Sequence, residues 1–441
     1  MTFLAVLLLG ACAVPVLYFS MRGTGAMLAI FSLEFAGYYA APVLMLHRVQ
    51  IGDFPARDLP PQTVFKALEL SLASFILTCL GYYLIPKSST LIPRIKCAWS
   101  NPGIIRMAAV AMCGTGMAAS YALLLLRGAS GPSQFVAVPA ELLMYGVALL
   151  FTLQLMHRLN PLYLIALWGI FIPARMALGL AAGETAAVLS VGLTLLLLYC
   201  ELRGRMWWSA MIIGAFSVIV LRPLMTPFRT LTRGSGVESD AGAAERLIVF
   251  GRIARGATEG RYGDFDHLEQ FAARRLCVIC TFADVVRQTP RIVPYWNGAT
   301  YYPILLKPIP RLLWPDKPLD ISGQDFGHRY GYLDRSNYET SYNLPQTVEL
   351  YANFGTIGVL IGSLLFGFLY RFIELMFFHP NSGIGAVAIG AVALTNLLAI
   401  ESGISLAIGG LILAMIAVFP VALVVDLTDL WSESRRWISA A

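Results

Sequence analysis

Residues 207–236 read WWSAMIIGAFSVIVLRPLMTPFRTLTRGSG, and the fold turns on where this stretch changes character. Trp207–Leu221 is apolar without interruption, as a membrane-crossing helix requires. From Arg222 onward charges, prolines and aromatics take over and persist to Pro345, beyond which long apolar segments resume. Half of the chain's 32 Lys and Arg residues lie in this one polar interval. The remainder is a membrane protein by composition: 441 residues, 57% hydrophobic, only 13% charged, mean hydropathy +0.69. Soluble domains carry about 25% charged residues.

Working outward, apolar runs near Phe3–Met21, Ala26–Leu46, Val64–Ile85, Ile104–Leu126, Val136–Met156 and Leu162–Ala181 each approach the roughly 20 residues a span needs. Thr185–Cys200 and Trp207–Leu221 come next, then, beyond the loop, Tyr351–Phe372, Gly385–Ile400 and Gly403–Val425. The expectation is an all-α polytopic bundle of about eleven spans (10–12) with one large loop. It divides into residues 1–221, a loop over 222–346, and 347–441. The first run lacks a basic leader and is read as a span.

Short-loop charge sets the orientation. With eleven spans, Arg22, Lys87, Arg94, Lys96, His157, Arg158, Arg203, Arg205, Arg371, Arg435 and Arg436 share one face. The positive-inside rule makes that face cytoplasmic and places the long loop and the N-terminus outside. ATP and nucleotide sugars are absent there, and the basic loop suits an anionic substrate at the membrane surface.

Within the loop, Thr232–Glu245 is small and polar, Arg246–Arg261 has the pattern of a short helix carrying Arg252 and Arg255, and Asp266–Gln288 has amphipathic spacing. Thr289–Pro318 holds prolines at 290, 294, 303, 308, 310, 315 and 318, which exclude regular structure. Aromatics Tyr295, Trp296, Tyr301, Tyr302 and Trp314 punctuate it and suit either the membrane interface or sugar rings. In Ile309–Pro318 (IPRLLWPDKP) a stiff segment presents Arg311 and Lys317, cations of the type a diphosphate leaving group needs; the plain alternative is a loop clamped by Arg–carboxylate pairs. Glu349 is placed where a helix enters the membrane, as a base or as a residue favoured by the helix dipole. The glycines at 355, 358, 362 and 367 read as close packing. Intramembrane Glu34, Glu69, Glu141 and Arg175 require partners or a cavity, and Arg175 either pairs with Glu34 or Glu141 or meets an anionic headgroup. Cys277 and Cys280 form an isolated CxxC, too little for zinc, which leaves a disulfide or two core residues. Nucleotide-binding and hydrolase signatures are missing, and His267 and His328 are the loop's only histidines.

The block IPRLLWPDKP, preceded by Trp296-Asn297-Gly298-Ala299-Thr300-Tyr301-Tyr302 and followed by VELYANFGTIG, resembles the O-antigen polysaccharide polymerase (Wzy-type) family over residues 285–370. The layout of spans around one late loop extends that resemblance and is similar to the GT-C-like polymerase and ligase architecture. The resemblance implies a bacterial inner-membrane glycosyltransferase that joins undecaprenyl-diphosphate-linked oligosaccharides without nucleotide, metal or other cofactor. Its implied partners are that lipid-linked glycan, membrane lipid and a chain-length regulator, with no nucleic acid. It assigns Arg311 to the diphosphate, with Arg291, Lys307 and Lys317 supporting it. Arg252 and Arg175 are further candidate substrate contacts. The base is sought among Glu349, Asp284, Asp325 and His328, and the sugar contacts among Trp296, Tyr301, Tyr302 and Trp314. Two other functions stay open: an O-antigen-ligase-like transferase with the same donor, and a non-enzymatic flippase or exporter.

Overall fold

The computed structural model describes residues 1–45, 50–51, 57–89, 92–95, 97, 99, 101–126, 133–232, 242–259, 276–309, 313–314, 316–338, 341–379 and 382–440. All eleven apolar segments are helical. Nine helices among the described residues are long and apolar enough to cross a membrane, from Thr2–Arg22 to Ile404–Asp429. The two others, Trp208–Ser217 within the Trp208–Thr232 helix and Ile384–Leu398, are shorter apolar stretches. The chain is a multi-pass membrane protein. Large apolar side chains point outward, among them Phe3, Ile212, Phe216, Ile357 and Phe419, where hydrocarbon rather than water is the solvent.

The connections that charge assigns to one face do meet there. A Cβ on Gly23 would stand 3.0 Å from Gly204 O. Arg203 Nη2 donates to Leu155 O at 2.9 Å, Ile95 N to Met376 O at 3.0 Å, and Trp99 Nε1 to Asp426 Oδ1 at 2.7 Å. Buried Arg371 donates to Ile85 O at 3.1 Å and pairs with Glu374 at 3.1 Å, while Tyr82 bonds Glu374.

Without a hydrophobic drive between helices in lipid, small residues and hydroxyls join them. The Pro61–Leu84 and Gln346–Phe377 helices show this best. Gly81 faces Leu364 O, Gly367 faces Thr78 O, and Ser74 and Ser363 share a hydrogen bond of 2.7 Å. At the two glycines no side chain separates the backbones.

The Gln346–Phe377 helix is not one rod. Phe354 and Gly355 leave helical geometry, Gly355 at φ +62° and ψ −147°. The segments on either side fold against each other. A Cβ on Gly362 would stand 2.2 Å from Leu350 Cδ2, and Tyr370 OH lies 3.4 Å from Gln346 Oε1. In a straight helix those pairs would be about 18 and 36 Å apart along the axis. Residues 346–353 therefore form a re-entrant arm that leaves the bundle interior, turns at 354–355 and returns as the span. The expectation that Glu349 opens a single entering helix is corrected: the run from Gln346 is helical on both sides of a hairpin, so its helical character continues while its direction does not. The glycines differ accordingly. Gly355 makes the turn, Gly358 and Gly362 receive Leu350, and Gly367 packs on the other helix. A cavity of about 20 Å³, room for one water, lies beneath the arm between Ser74, Thr78, Gln346, Thr347, Ser363 and Tyr370.

Two loop helices are adjusted. The helix expected over 246–261 runs Ala243–Thr258, starting earlier because Glu245 reaches back to Gly242 N at 2.8 Å. It buries Val249, Ile253 and Ala257 against Leu224, Met225 and Phe228. Of the helix expected over 266–288, residues 266–275 lie outside the described residues, His267 with them, and the described part is the helix Val278–Gln288, whose preceding residue Cys277 has ψ 68°. Cys277 and Cys280 are disulfide-bonded and also buried, so both readings of the pair hold. The proline run is not wholly irregular: Ala299–Tyr301 and Tyr302–Leu306 are short helical turns, with Pro303 in a first turn where its missing N–H is harmless.

Candidate functional site

The loop is built around the Val278–Gln288 helix. Asp284 is fully buried on it and accepts from Gln288 Nε2 at 2.7 Å, Tyr332 OH at 2.9 Å and Arg287. Phe326, Tyr330, Tyr332 and Tyr342 pack as an aromatic cluster beside it, and Tyr330 OH meets Thr289 Oγ1 at 2.7 Å. With these donors on both of its buried oxygens, Asp284 is arranged to tie the loop together rather than to receive a substrate proton.

From this frame the chain reaches the tip of the re-entrant arm. Trp296 N donates to Ala352 O at 3.0 Å and Asn297 N to Asn353 O at 3.3 Å. Asn353, fully buried, accepts from Gly298 N at 2.8 Å and donates to Thr300 Oγ1 at 2.8 Å and Glu349 O at 2.9 Å. The loop residues 296–301 are thereby fixed over the arm.

Glu349 lies one turn below Asn353 and is 0% exposed. Its Oε2 accepts from Ile404 N at 2.6 Å, the first N–H of the last span. It thus answers the dipole of a different helix from its own. Among the described residues its Oε1 completes no hydrogen bond, although the Thr300 hydroxyl lies close to the carboxyl; Tyr301 OH, close to the Asn353 side chain, and Trp296 Nε1 complete none either. Burial first, then the charge of Glu349, raises the Tyr301 phenol above its ordinary value, so it stays a proton donor in hydrogen bonds. Polar atoms left unmet in a buried place are costly.

Beside Glu349 stands Asp320. Its Oδ2 accepts from Ser405 Oγ at 2.8 Å and pairs with Lys307 Nζ at 3.1 Å; its Oδ1 accepts from Ser322 Oγ at 2.7 Å. Burial alone would raise this carboxyl. The Ser322 and Ser405 hydroxyls and Lys307 outweigh it and hold the group below its ordinary value. Lys307 lays its methylenes on Gly409, which has no side chain to obstruct them.

The other expected residues are dispersed. Arg311 lies outside the described residues. Lys317 is buried and donates to Ile309 O at 2.8 Å and Leu306 O at 3.3 Å, holding the proline segment in shape. Arg291 is exposed. Arg329 covers the Trp296 ring at 4.4 Å and donates to Pro294 O, so that face is closed to a sugar. Tyr302 and Trp314 are exposed, at 53% and 36%. His328 Nε2 meets Asn337 O at 2.9 Å, and Asp325 is exposed on the same short helix, Ser322–Arg329. Arg252 is exposed on the Ala243–Thr258 helix. Arg175 is half-buried in its span, its Nε without a partner among the described residues, and close enough to Glu141 for their charges to interact. Glu69 pairs with Lys66 at 3.2 Å. Among the described residues no cluster of three His, Cys, Asp or Glu could hold a metal ion.

Sequence reasoning missed Asp320, Asn353, Thr300 and Ser405. The signal available was Asp320-Ile321-Ser322, a spacing at which the carboxylate bonds the hydroxyl and N–H two residues on.

Residues 277–435 match the family model of O-antigen polysaccharide polymerase Wzy. This bears out the resemblance carried by IPRLLWPDKP and VELYANFGTIG, and the matched segment contains every residue of the Glu349–Asp320 cluster. No curated protein and no solved structure matches the chain.

Proposed function

We propose that this chain, with its residues 277–435 matching the Wzy O-antigen polymerase family as premise, polymerises lipid-linked oligosaccharide repeat units. The donor is a growing glycan on undecaprenyl diphosphate, presented at the outer face of the bacterial cytoplasmic membrane. The acceptor is the terminal sugar of a new lipid-linked unit. The bond from the anomeric carbon to the diphosphate oxygen breaks, and a bond from that carbon to the acceptor oxygen forms. The acceptor proton passes to a base, and undecaprenyl diphosphate leaves. The glycosyl–diphosphate bond carries the free energy, so neither nucleotide nor metal is required.

One observation supports the placement of this chemistry: buried Glu349, whose Oε1 completes no hydrogen bond among the described residues, stands beside Tyr301 OH, which completes none among them either, and both are roofed by the loop. A carboxylate with one oxygen anchored on Ile404 N and the other open is arranged to take a proton from a positioned hydroxyl. Tyr301 and Trp296 supply donors toward the acceptor sugar. Arg311 and Arg291 are assigned to the diphosphate, whose developing charge fixed cations stabilise. Lys307 contributes less there than an isolated cation would, because Asp320 already neutralises it. Arg252, Arg175, Tyr302, Trp314 and His328 remain candidate contacts for the lipid-linked chains, and a chain-length regulator remains a candidate partner.

The test is a polymerisation assay in lipid with undecaprenyl-diphosphate-linked units of the host and no nucleotide sugars. Wild type should yield a ladder that Glu349→Gln and Arg311→Ala each abolish. A ladder that persists in either variant removes that residue from the site. With substrate intact and accessible, no ladder from wild type favours the ligase-like or exporter function.

A further inference from the structure

The proline-rich segment and the last span are joined through one carboxylate. Asp320 Oδ2 holds Ser405 Oγ at 2.8 Å and Lys307 Nζ at 3.1 Å, while Oδ1 holds Ser322 Oγ at 2.7 Å and approaches Ser322 N at 3.4 Å. Ser405 is the second residue of the last span, and its neighbour Ile404 gives the N–H that anchors Glu349 Oε2 at 2.6 Å. Gly403, just before, lies close under the same carboxylate: a Cβ there would stand 3.3 Å from Glu349 Oε2. The first turn of the last span is therefore gripped from two sides, by Glu349 through its backbone and by Asp320 through its hydroxyl.

We propose that Asp320 is a positioning residue for Glu349, holding the Ile404–Ser405 turn so that Glu349 Oε1 faces the acceptor hydroxyl. This rests on the reading of Glu349 as the group that takes the acceptor proton. The first N–H groups of a helix have no partners within it, so that turn frays unless something outside holds it. Lys307 and the serine hydroxyls let Asp320 stay ionised in a half-buried place and so accept from all sides. If the turn loosens, Glu349 loses its anchor, and a displacement of about 1 Å from the reacting atoms is worth up to about 100-fold in rate. Ground-state binding of the lipid-linked glycan, which engages other residues, is left unchanged.

The experiment compares Asp320→Ala, Asp320→Asn, Ser405→Ala and Glu349→Gln in lipid nanodiscs, each matched to wild type in yield and melting temperature. Asp320→Ala should lower kcat about 10- to 100-fold with KM within about twofold. Asp320→Asn keeps an oxygen for Ser405 and should recover to within about fivefold of wild type. Ser405→Ala removes the tie without touching Asp320, and should lower kcat by a smaller factor in the same way. It decides the matter if Asp320→Ala fails to fold. An unchanged kcat in both Asp320→Ala and Ser405→Ala, beside an inactive Glu349→Gln, overturns the positioning role alone. A raised KM with unchanged kcat overturns it in favour of action through Lys307. An active Glu349→Gln overturns the role together with the reading beneath it.

Discussion

Replacing Gly355 by alanine tests the re-entrant arm directly. The residue has φ +62° and ψ −147°, a region that essentially only glycine occupies. Imposing a Cβ there costs about 1–3 kcal/mol in backbone strain. The new atom would also stand 2.7 Å from Tyr295 Oη, closer than real Cβ contacts come, and a tight 3.1 Å from its Cζ. Overpacking of that kind adds roughly 1–3 kcal/mol. The expected loss is thus about 2–6 kcal/mol, read as a lowered thermal or denaturant midpoint in nanodiscs. Tyr295→Phe removes the nearer atom, so the double variant should recover part of the loss, and the cycle isolates the clash from the strain. Gly192→Ala is the control: nothing lies within 4 Å of its Cβ, and in a helix interior alanine is favoured by about 0.5–1 kcal/mol. If Gly355→Ala melts with wild type and retains its activity, the chain does not turn at this point and the hairpin is refuted.

Asn353→Ala should destabilise the arm by about 2–4 kcal/mol, because Gly298 N, Thr300 and Glu349 O all lose a partner; a midpoint within about 0.5 kcal/mol of wild type, the noise of a surface substitution, contradicts this. Gly367→Ala sets a Cβ 2.1 Å from Thr78 O and should cost at least about 1–3 kcal/mol, measured by the same unfolding assay; a neutral result means the two helices do not touch there. The Asp320 tie has a defined pH sign. A carboxyl held below its ordinary value of about 3.9 stabilises fully above that value, and the effect fades as pH falls through the lower folded value. In Glu349→Gln, which removes the other carboxyl that grips this turn, hydrogen exchange over Ile404–Ala407, corrected for intrinsic rates, should stay level from neutral pH down to about 4 and rise only below it; a rise beginning near pH 6 in that variant contradicts the assignment.

The spans were legible because each is written locally: about twenty apolar residues decide a helix without reference to the rest of the chain. The same locality hid the arm. Gln346–Asn353 is more polar than the span after it but equally helical, and the reversal rests on Phe354-Gly355 and on contacts to residues as far as 24 positions away. Glu349 drew notice as a carboxylate at a helix start, yet the helix it answers begins 55 residues later at Ile404. Lys317 looked like a free cation because sequence cannot show that a stiff proline segment leaves carbonyls at Leu306 and Ile309 needing a donor. Asp320 looked ordinary because its partners come from the loop and from the last span.

The contact between Ser74 and Ser363 also sets an order of events. These residues are 289 positions apart, so the helix that presents Gly81, Thr78 and Ser74 is synthesised long before its partner exists. At about 5–20 residues per second the wait is roughly 15–60 s. Through that interval a groove of glycines and hydroxyls must stand open to lipid or to a temporary neighbour. Assembly of this protein therefore does not begin with this helix pair, and a truncation before residue 356 leaves that early groove without the surface it was shaped to fit.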